Sequence, residues 1–195
     1  MPHVDAVLVG LGNPGSKYLM TRHNVGFLFL DVLAQENHGS WDSSSALAKK
    51  AKSEISEFKF AGKNVLAIKP MTFMNLSGEA LEGLFQKQPK LKHAKLIAFH
   101  DEVDIPFKQL RIKDGGGDAG HNGLKDIRRV LGHGNYTRFR IGVGRPQGRM
   151  ELADYVLQNF SKEEQDPLIE VLSRTADSLE LVLQDKWNEA QARAK

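Results

Sequence analysis

The residue types best suited to chemistry lie in a polar, glycine-rich passage, residues 10–24, which contains Asn13 and His23. A histidine titrates near neutral pH without help from its surroundings, and an asparagine amide both donates and accepts hydrogen bonds. The passage follows an apolar run over 6–9 that is typical of a buried strand, and it precedes a helical apolar repeat over 25–33. Loops that follow strands in α/β sheets commonly bind ligands, so we expect a binding site here.

The same passage satisfies the dinucleotide-binding pattern G-x-G-x-x-G through Gly10, Gly12 and Gly15. That motif alone is weak evidence. In a true fingerprint the helix opens at once, so that its N-terminus faces the pyrophosphate. Here Pro14 lies inside the motif and a polar stretch, residues 16–24, delays the helix. Nucleotide binding is therefore disfavoured, although a purely structural turn stays open for the loop taken alone.

Loops at the ends of other predicted elements carry Asn75, Asp101 and Asn122. A histidine with a carboxylate partner can activate water, because the carboxylate fixes the tautomer and stabilises the imidazolium that forms. Neutral amides can hold a substrate carbonyl and stabilise the oxyanion. The chain has no cysteine and no G-x-S-x-G motif, so direct attack by water is the simplest mechanism. These residue types alone do not select Asp101 as the partner of His23.

Each of these residues also has a structural interpretation. Asparagine before proline or glycine most often serves turn geometry, and His23 with Asn24 could cap a helix. His100, Asp101 and His121 could instead form a metal site. No H-E-x-x-H or H-x-H pair supports that interpretation, so the metal site is disfavoured.

The composition bounds the protein class. The 195 residues, 41% hydrophobic and 26% charged, are enough for one substantial core. The absence of cysteine excludes disulfides, thiolate catalysis and cysteine-type zinc sites. No apolar run approaches a bilayer-spanning length, and the N-terminal residues lack the charged-then-apolar form of a signal peptide. We therefore expect a cytoplasmic protein with no membrane association.

Charge is unevenly distributed along the chain. Residues 105–149 hold ten Lys/Arg against three Asp, a local balance of +7, whereas residues 150–195 carry a balance of −5. A basic middle beside an acidic tail favours one face suited to a polyanion. Ordinary solvated surface charge is the alternative, and counts alone favour it.

Apolar and polar periodicities predict interleaved strands and helices, so the class is α/β. A hairpin over 54–68 makes the sheet mixed, and further strands are predicted at 95–99, 107–113 and 137–143. In the last strand, alternation places Arg138 and Arg140 on a solvent-exposed face. We expect a single domain, residues 1–195, with a twisted, mixed and mostly parallel sheet flanked by α-helices.

The helix signals are equally local. Asn75 or Ser77 is predicted to cap a helix that ends near residue 88. Further helices are predicted at 124–131 and 151–157. A capping box at Ser161, or alternatively the Asp166-Pro167 pair, is predicted to start a packed C-terminal helix.

Six segments, taken in order and spacing, resemble the bacterial-type peptidyl-tRNA hydrolases. The resemblance covers nearly the whole chain, and its motifs are modest singly but specific together. They are residues 10–15 (GLGNPG), 21–26 (TRHNVG), 69–78 (KPMTFMNLSG), 100–104 (HDEVD), 115–124 (GGGDAGHNGL) and 140–146 (RIGVGRP).

This resemblance implies cleavage of the ester between a peptide and the 3′ end of tRNA, without a metal or other cofactor, by a monomer. It implies that His23 accepts the proton and that Asp101 holds it in its basic form. Asn13 would help to separate blocked from free aminoacyl-tRNA. The residues implied to contact the acylated tRNA end are Tyr18, Phe73, Met74, Asn75 and Asn122, and those implied to clamp the 5′ phosphate are Lys113 and Arg140.

The sequence departs from the family pattern at Phe73, where tyrosine is frequent; the aromatic plane remains and could still stack on a terminal base. Two alternatives stay open beside the hydrolase. One is an RNA-binding module without catalysis, in which the polar loops are structural. The other is a metal hydrolase, or an amidase that acts on free peptides.

Overall fold

In the computed structural model, which describes residues 3–195, six strands form one mixed sheet. Met1 and Pro2, which belong to the segment where no signal peptide is expected, lie outside the described residues. The strands are β1 (Ala6–Gly10), β2 (Ser53–Phe60), β3 (Lys63–Pro70), β4 (Lys95–Glu102), β5 (Leu110–Asp114) and β6 (Thr137–Gly142). Their order is β2-β3-β1-β4-β6-β5. The four inner strands are parallel, and the edge strands β2 and β5 are antiparallel to their neighbours. The predicted single-domain α/β fold with a mixed sheet is confirmed.

Helices cover both faces of this sheet. They are α1 (Val25–Glu36), α2 (Ala46–Lys50), α3 (Ser77–Lys87), α4 (Asn122–Leu131), α5 (Leu152–Val156), α6 (Lys162–Leu183) and α7 (Trp187–Ala194). Apolar residues of α1, α6 and α7 form one core with the sheet, and those of α2, α3 and α4 form a second core on the opposite face. No helix among residues 3–195 combines the length and the apolar character needed to cross a bilayer.

The central strand β1 shows why the sheet is covered on both sides. Ala6 and Leu8 belong to one core and Val7 and Val9 to the other, as the alternation of side chains along a strand requires. All five residues of the strand are buried. A strand buried on both faces reads as a continuous apolar run, and this run places the following polar passage at the carboxyl edge of the sheet.

The predicted cap of α3 is wrong. The helix begins at Ser77 directly after a short 3₁₀ turn, Met74–Leu76, and its N-cap residue, Leu76, offers no capping side chain; the Asp126 carboxylate on α4 accepts from the Gly78 N–H in the first turn (2.7 Å). The Ser77 hydroxyl donates instead to the carbonyl of Met74 (2.8 Å). Because the Asn75 side chain does not cap the helix, it remains exposed at the edge of the sheet.

The prediction that Arg138 lies on a solvent-exposed face of β6 is also wrong. Arg138 is only 3% exposed, because the glycine-rich segment that precedes α4 folds back against this strand and covers the guanidinium. Arg140, two residues further along, keeps partial exposure. Alternation predicted the shared face of the two arginines but could not predict a loop that returns to cover one of them.

The C-terminal region agrees with the first of the two predicted helix starts. Helix α6 follows Ser161, whose backbone N–H donates to the Glu164 carboxylate (2.7 Å), as a capping box requires. The alternative start at Asp166-Pro167 is wrong, since the helix already includes both residues. The final helix α7 was not predicted.

Candidate active site

A cleft of about 660 Å³ opens at the carboxyl edge of the sheet, bounded by the segments that follow β1, β3 and β4 and by the helices α4 and α5. The seven residues of the predicted site that line it are Asn13, His23, Phe73, Met74, Asn75, Asp101 and Asn122. The other three, Tyr18, Lys113 and Arg140, lie outside its lining. The predicted substrate-contacting residues thus meet in one place, apart from Tyr18 and the two basic residues.

His23 and Asp101 form the polar centre of the cleft. His23 lies in a 3₁₀ turn, Arg22–Asn24, before α1, and Asp101 is the penultimate residue of β4. The His23 Nδ1 lies 2.9 Å from each carboxylate oxygen of Asp101. Asp101 is 3% exposed, so this contact is shielded from water. An ionised carboxylate only accepts hydrogen bonds, which places a proton on Nδ1 and the lone pair of the ring on Nε2.

The pair perturbs the ionisation of both members. Burial lowers the pKa of His23, but the charge of Asp101 and the hydrogen bond to it outweigh burial and raise this pKa above its ordinary 6.5. Burial would raise the pKa of Asp101, yet the imidazoles of His23 and His121 hold it well below its usual range. Asp101 is therefore an anion throughout the neutral range, and His23 is a base with increased proton affinity.

His121 is a second donor to the same carboxylate, and the sequence reasoning assigned it only to the disfavoured metal site. Its Nε2 lies 2.8 Å from the Asp101 Oδ1, and its Nδ1 accepts from the backbone N–H groups of Gly123 (3.2 Å) and Leu124 (3.4 Å). Because Nδ1 accepts, the proton of the neutral ring must be on Nε2. His121 therefore caps α4 and donates to Asp101 at once. Its position just before a helix is the signal that could have revealed the capping role.

Asn13 is held by three hydrogen bonds that leave its amide nitrogen available. Its Oδ1 accepts from the backbone N–H of Met74 (2.8 Å). Its backbone N–H donates to the Asn24 Oδ1 (2.8 Å), and its carbonyl accepts from the Asn24 Nδ2 (2.9 Å). Within residues 3–195 no hydrogen bond occupies the Asn13 Nδ2. Asn24, considered only as part of a capping segment, instead fixes the backbone of Asn13.

The rim of the cleft is apolar and amide-bearing. Phe73 is 58% exposed, while Met74 beside it is buried. Asn75 lies in the 3₁₀ turn before α3, and Asn122 is the first residue of α4; both are exposed. Tyr18 is half-buried in a separate 3₁₀ turn, Ser16–Tyr18. An open aromatic face and two free amides could meet a ribose, a base or a peptide backbone.

The two predicted phosphate-binding residues lie on the edge strand β5 and on its neighbour β6. Lys113 is exposed and pairs in register with Arg138, which puts it diagonally across from Arg140. Arg140 donates to the Glu102 carboxylate through Nε (3.2 Å) and Nη2 (3.0 Å), and its side chain is 25% exposed. Arg140 is therefore paired with a carboxylate, whereas Lys113 has no ion-pair partner among residues 3–195.

The metal alternative loses one of its proposed ligands. His100 is 1% exposed and its Nδ1 contacts the backbone carbonyl of Asp101 (2.8 Å). Burial, followed by the neighbouring His121, lowers the pKa of His100 to about 3, so its ring is neutral. Among residues 3–195, His23, Asp101 and His121 each offer one ligand atom, and these atoms lie within 4.8 Å of one another. A metal bound by the three would have to replace the hydrogen bonds that now join them.

Comparison with known proteins adds independent findings. A family model described as peptidyl-tRNA hydrolase matches residues 7–195. A peptidyl-tRNA hydrolase of Rhodococcus jostii is 44% identical over 196 residues, 99% of each chain, and one of Rickettsia felis is 40% identical over 183 residues, 94% of this chain and 96% of its own. A crystal structure of peptidyl-tRNA hydrolase from Acinetobacter baumannii superposes with a TM-score of 0.84 at 31% identity, covering 100% of this chain and 97% of that one.

Proposed function

This chain belongs to the peptidyl-tRNA hydrolase family, so the reaction that it catalyses is hydrolysis of the ester joining a peptide to tRNA, and we propose that His23 and Asp101 perform the proton transfers. The observation that carries this proposal is the contact of the His23 Nδ1 with both Asp101 oxygens. This contact supports a His23 ring that is protonated on Nδ1 and has an unprotonated Nε2 able to act as a base. Such a base contributes about 10²–10⁴ in rate.

In the proposed reaction, the His23 Nε2 removes a proton from a water molecule that attacks the ester carbonyl. The C–O bond to the terminal ribose then breaks, and the imidazolium returns its proton to the departing ribose oxygen. Asp101 stabilises the imidazolium while it exists. Because His121 also donates to Asp101, the carboxylate stays weakly basic, and the proton remains on His23.

Asn13 is proposed to recognise the blocked amino end of the acyl group. Its acceptor oxygen is already engaged by the Met74 N–H, so only amide N–H groups are offered to the substrate. An N–H donor suits the carbonyl of a peptide bond. A free α-ammonium group is itself a donor and would face Asn13 without a partner, which costs about 1–3 kcal/mol for the unsatisfied group. This geometry supports rejection of free aminoacyl-tRNA.

The remaining residues are proposed to hold the tRNA end. The exposed ring of Phe73 offers a plane on which a terminal base can stack. Met74, Asn75 and Asn122 line the same cleft. Tyr18 lies in the 3₁₀ turn Ser16–Tyr18, which precedes His23 in the chain. Lys113 and Arg140 are proposed to contact the 5′ phosphate, an interaction that salt weakens. We also propose that the chain acts as a monomer in the cytoplasm, where ribosomes release peptidyl-tRNA.

The pH dependence of kcat/KM tests the proposed base. Since His23 must be neutral to accept a proton, and its pKa is raised, kcat/KM for N-acetyl-aminoacyl-tRNA should fall as the pH drops through a midpoint above 6.5. A metal chelator should leave the profile unchanged, and binding of deacylated tRNA should be flat over this range. A rate that does not respond to acid, or one that a chelator abolishes, would remove His23 from this role.

Substituting Asn13 tests the discrimination. In Asn13→Asp the side chain has no N–H to donate, so kcat/KM for N-acetyl-aminoacyl-tRNA should fall by about 10²-fold. The new carboxylate attracts an α-ammonium, so the preference for blocked over free substrate should narrow. Asn13→Ala is the neutral control, which loses the donor, and with it the acceptor of the Met74 N–H, without gaining that attraction. If Asn13→Asp kept the wild-type preference ratio, the recognition assigned to Asn13 would be incorrect.

A further inference from the structure

The guanidinium of Arg138 is buried against backbone carbonyls of the glycine-rich loop, residues 115–120. Its Nη2 donates to the carbonyls of Gly116 (2.8 Å) and Gly134 (3.2 Å), and its Nη1 donates to that of Gly117. Its planar group also lies 4.5 Å from the ring centroid of Tyr136. One side chain of the sheet thus joins the loop before α4 to the turn before β6.

Arg138 is buried without an acidic partner. Arg140 on the same strand pairs with Glu102, but no carboxylate among the described residues lies within ion-pair distance of Arg138. Its charge is met by carbonyl dipoles and an aromatic face alone. Burying a cation costs several kcal/mol unless such contacts are well formed, so the loop carbonyls must stay in place for Arg138 to remain buried.

Beside the Arg138 contacts, the loop is joined to the rest of the molecule by the Gly115 N–H, which donates to the Tyr136 carbonyl (3.0 Å), and by the ion pair of Asp118 with Arg128 (3.9 Å). Gly115 and Gly116 have φ of +68° and +108°, and even Ala119 has φ of +49°. Beyond Gly117, the Gly120 N–H and the His121 N–H bond only to Asp118 within the loop. A segment with so few side chains cannot pack a core of its own, and it depends on outside contacts for order.

The loop ends at residues that face the reaction. His121 follows it directly and donates to Asp101, and Asn122 lines the cleft. We propose that Arg138 is a positioning residue that fixes the glycine-rich loop and thereby aligns His121 and Asn122. The proposal rests on the function proposed above, because it acts through the carboxylate that serves His23.

This role differs from that of the other basic residues in the middle of the chain. At 3% exposure, Arg138 cannot present its guanidinium to a tRNA phosphate. Its loss should therefore change turnover and leave tRNA affinity and its salt dependence unaltered. Loss of a phosphate contact would do the opposite, lowering affinity and flattening the salt response.

The experiment measures kcat and KM of Arg138→Ala and Arg138→Lys on N-acetyl-aminoacyl-tRNA. A misplaced catalytic neighbour costs about 10²-fold, so kcat of Arg138→Ala should fall by about that factor with KM unchanged. Arg138→Lys should fall less, since one ammonium can reach some of the carbonyls. Millimolar guanidinium chloride should restore part of the lost kcat, and sodium chloride at equal ionic strength should not.

Arg174 provides a matched control, because it also donates to two backbone carbonyls, those of Lys108 (2.5 Å) and Lys195 (3.3 Å), far from the cleft. Arg174→Ala should keep wild-type kcat. Gly134→Ala tests the same contact while residue 138 stays arginine, since its new Cβ would lie 2.4 Å from the Gly116 oxygen and 2.9 Å from the Arg138 Nη2, so that one of these groups must shift. It should lower kcat in the same way and should not respond to guanidinium.

The outcomes separate this inference from the proposed function. If His23→Ala loses turnover while Arg138→Ala and Gly134→Ala keep it, only the positioning role is wrong. If His23→Ala keeps turnover, the proposed function itself is wrong. A rise in KM without a fall in kcat, or no recovery with guanidinium, overturns the proposal for Arg138. Should Arg138→Ala fail to fold, Arg138→Lys and Gly134→Ala decide the question through the same split between kcat and KM.

Discussion

Replacing His23 by alanine is expected to lower kcat for N-acetyl-aminoacyl-tRNA by about 10²–10⁴-fold while tRNA affinity is retained. The substitution removes the base, yet the basic residues on the β5 and β6 edge are untouched. His23 makes its side-chain hydrogen bonds only with Asp101 among the described residues, so the fold should tolerate the loss. Single-turnover rates and equilibrium binding of deacylated tRNA measure the two quantities separately.

His93→Ala is the matched control for this result, because His93 is an exposed histidine in the 3₁₀ turn before β4 and lies outside the cleft lining. Its kcat should equal that of the wild type. If His23→Ala retained more than about a tenth of the wild-type kcat, general-base catalysis at this residue would be untenable. If both kcat and tRNA binding collapsed together with the folded fraction, the variant would report on stability, and His23→Gln would replace it as a polar substitute.

The periodicity of the sequence was sufficient to predict the sheet. Residues 6–9 and 96–99 are apolar at successive positions, as a strand covered on both faces requires, and both runs lie in inner strands. The carboxyl ends of parallel strands lie at the same edge, so the polar residues at the ends of β1 and β4 were expected at one edge, although the sequence alone did not select Asp101 as the partner of His23. The sheet topology thus carries His23 and Asp101 to one cleft although 78 positions separate them.

What the sequence could not predict depends on where loops return. Alternation correctly predicted that Arg138 and Phe139 point to opposite faces of the sheet. The burial of Arg138, however, depends on the path of the glycine-rich loop, which covers its guanidinium. His121 likewise gave no periodic signal, because its role is to make two contacts at once: its Nε2 donates to Asp101 and its Nδ1 accepts from the Gly123 N–H. Asn24 fixes Asn13 across a loop of eleven residues, which no local propensity encodes. Apart from the local cap of α4 by His121, these contacts join segments distant in the fold, and the local sequence pattern contains no information about them.

The two donors to Asp101 make a specific prediction for Asp101→Asn. The carboxylate accepts from both imidazoles, but an amide has one acceptor oxygen and one donor nitrogen. His121 cannot change tautomer, since its Nδ1 must accept from the N–H groups that open α4. The amide oxygen is therefore drawn to the His121 Nε2, and the amide nitrogen faces the His23 Nδ1. His23 must then carry its proton on Nε2, where it can no longer act as a base.

We accordingly expect Asp101→Asn to lower kcat by about 10⁴-fold, the scale seen when an Asp-to-Asn change imposes the wrong histidine tautomer in a Ser-His-Asp site. Asp177→Asn, which alters a half-buried aspartate that is paired with Arg193 and lies outside the cleft lining, is the control and should keep wild-type kcat. Adding His121→Ala to Asp101→Asn should recover part of the loss, because the amide oxygen is then free to accept from the His23 Nδ1. Nitrogen NMR of His23 reports the tautomer directly. A double variant slower than Asp101→Asn alone, with His23 protonated on Nδ1 in both, would show that the carboxylate acts through its charge and not through the tautomer.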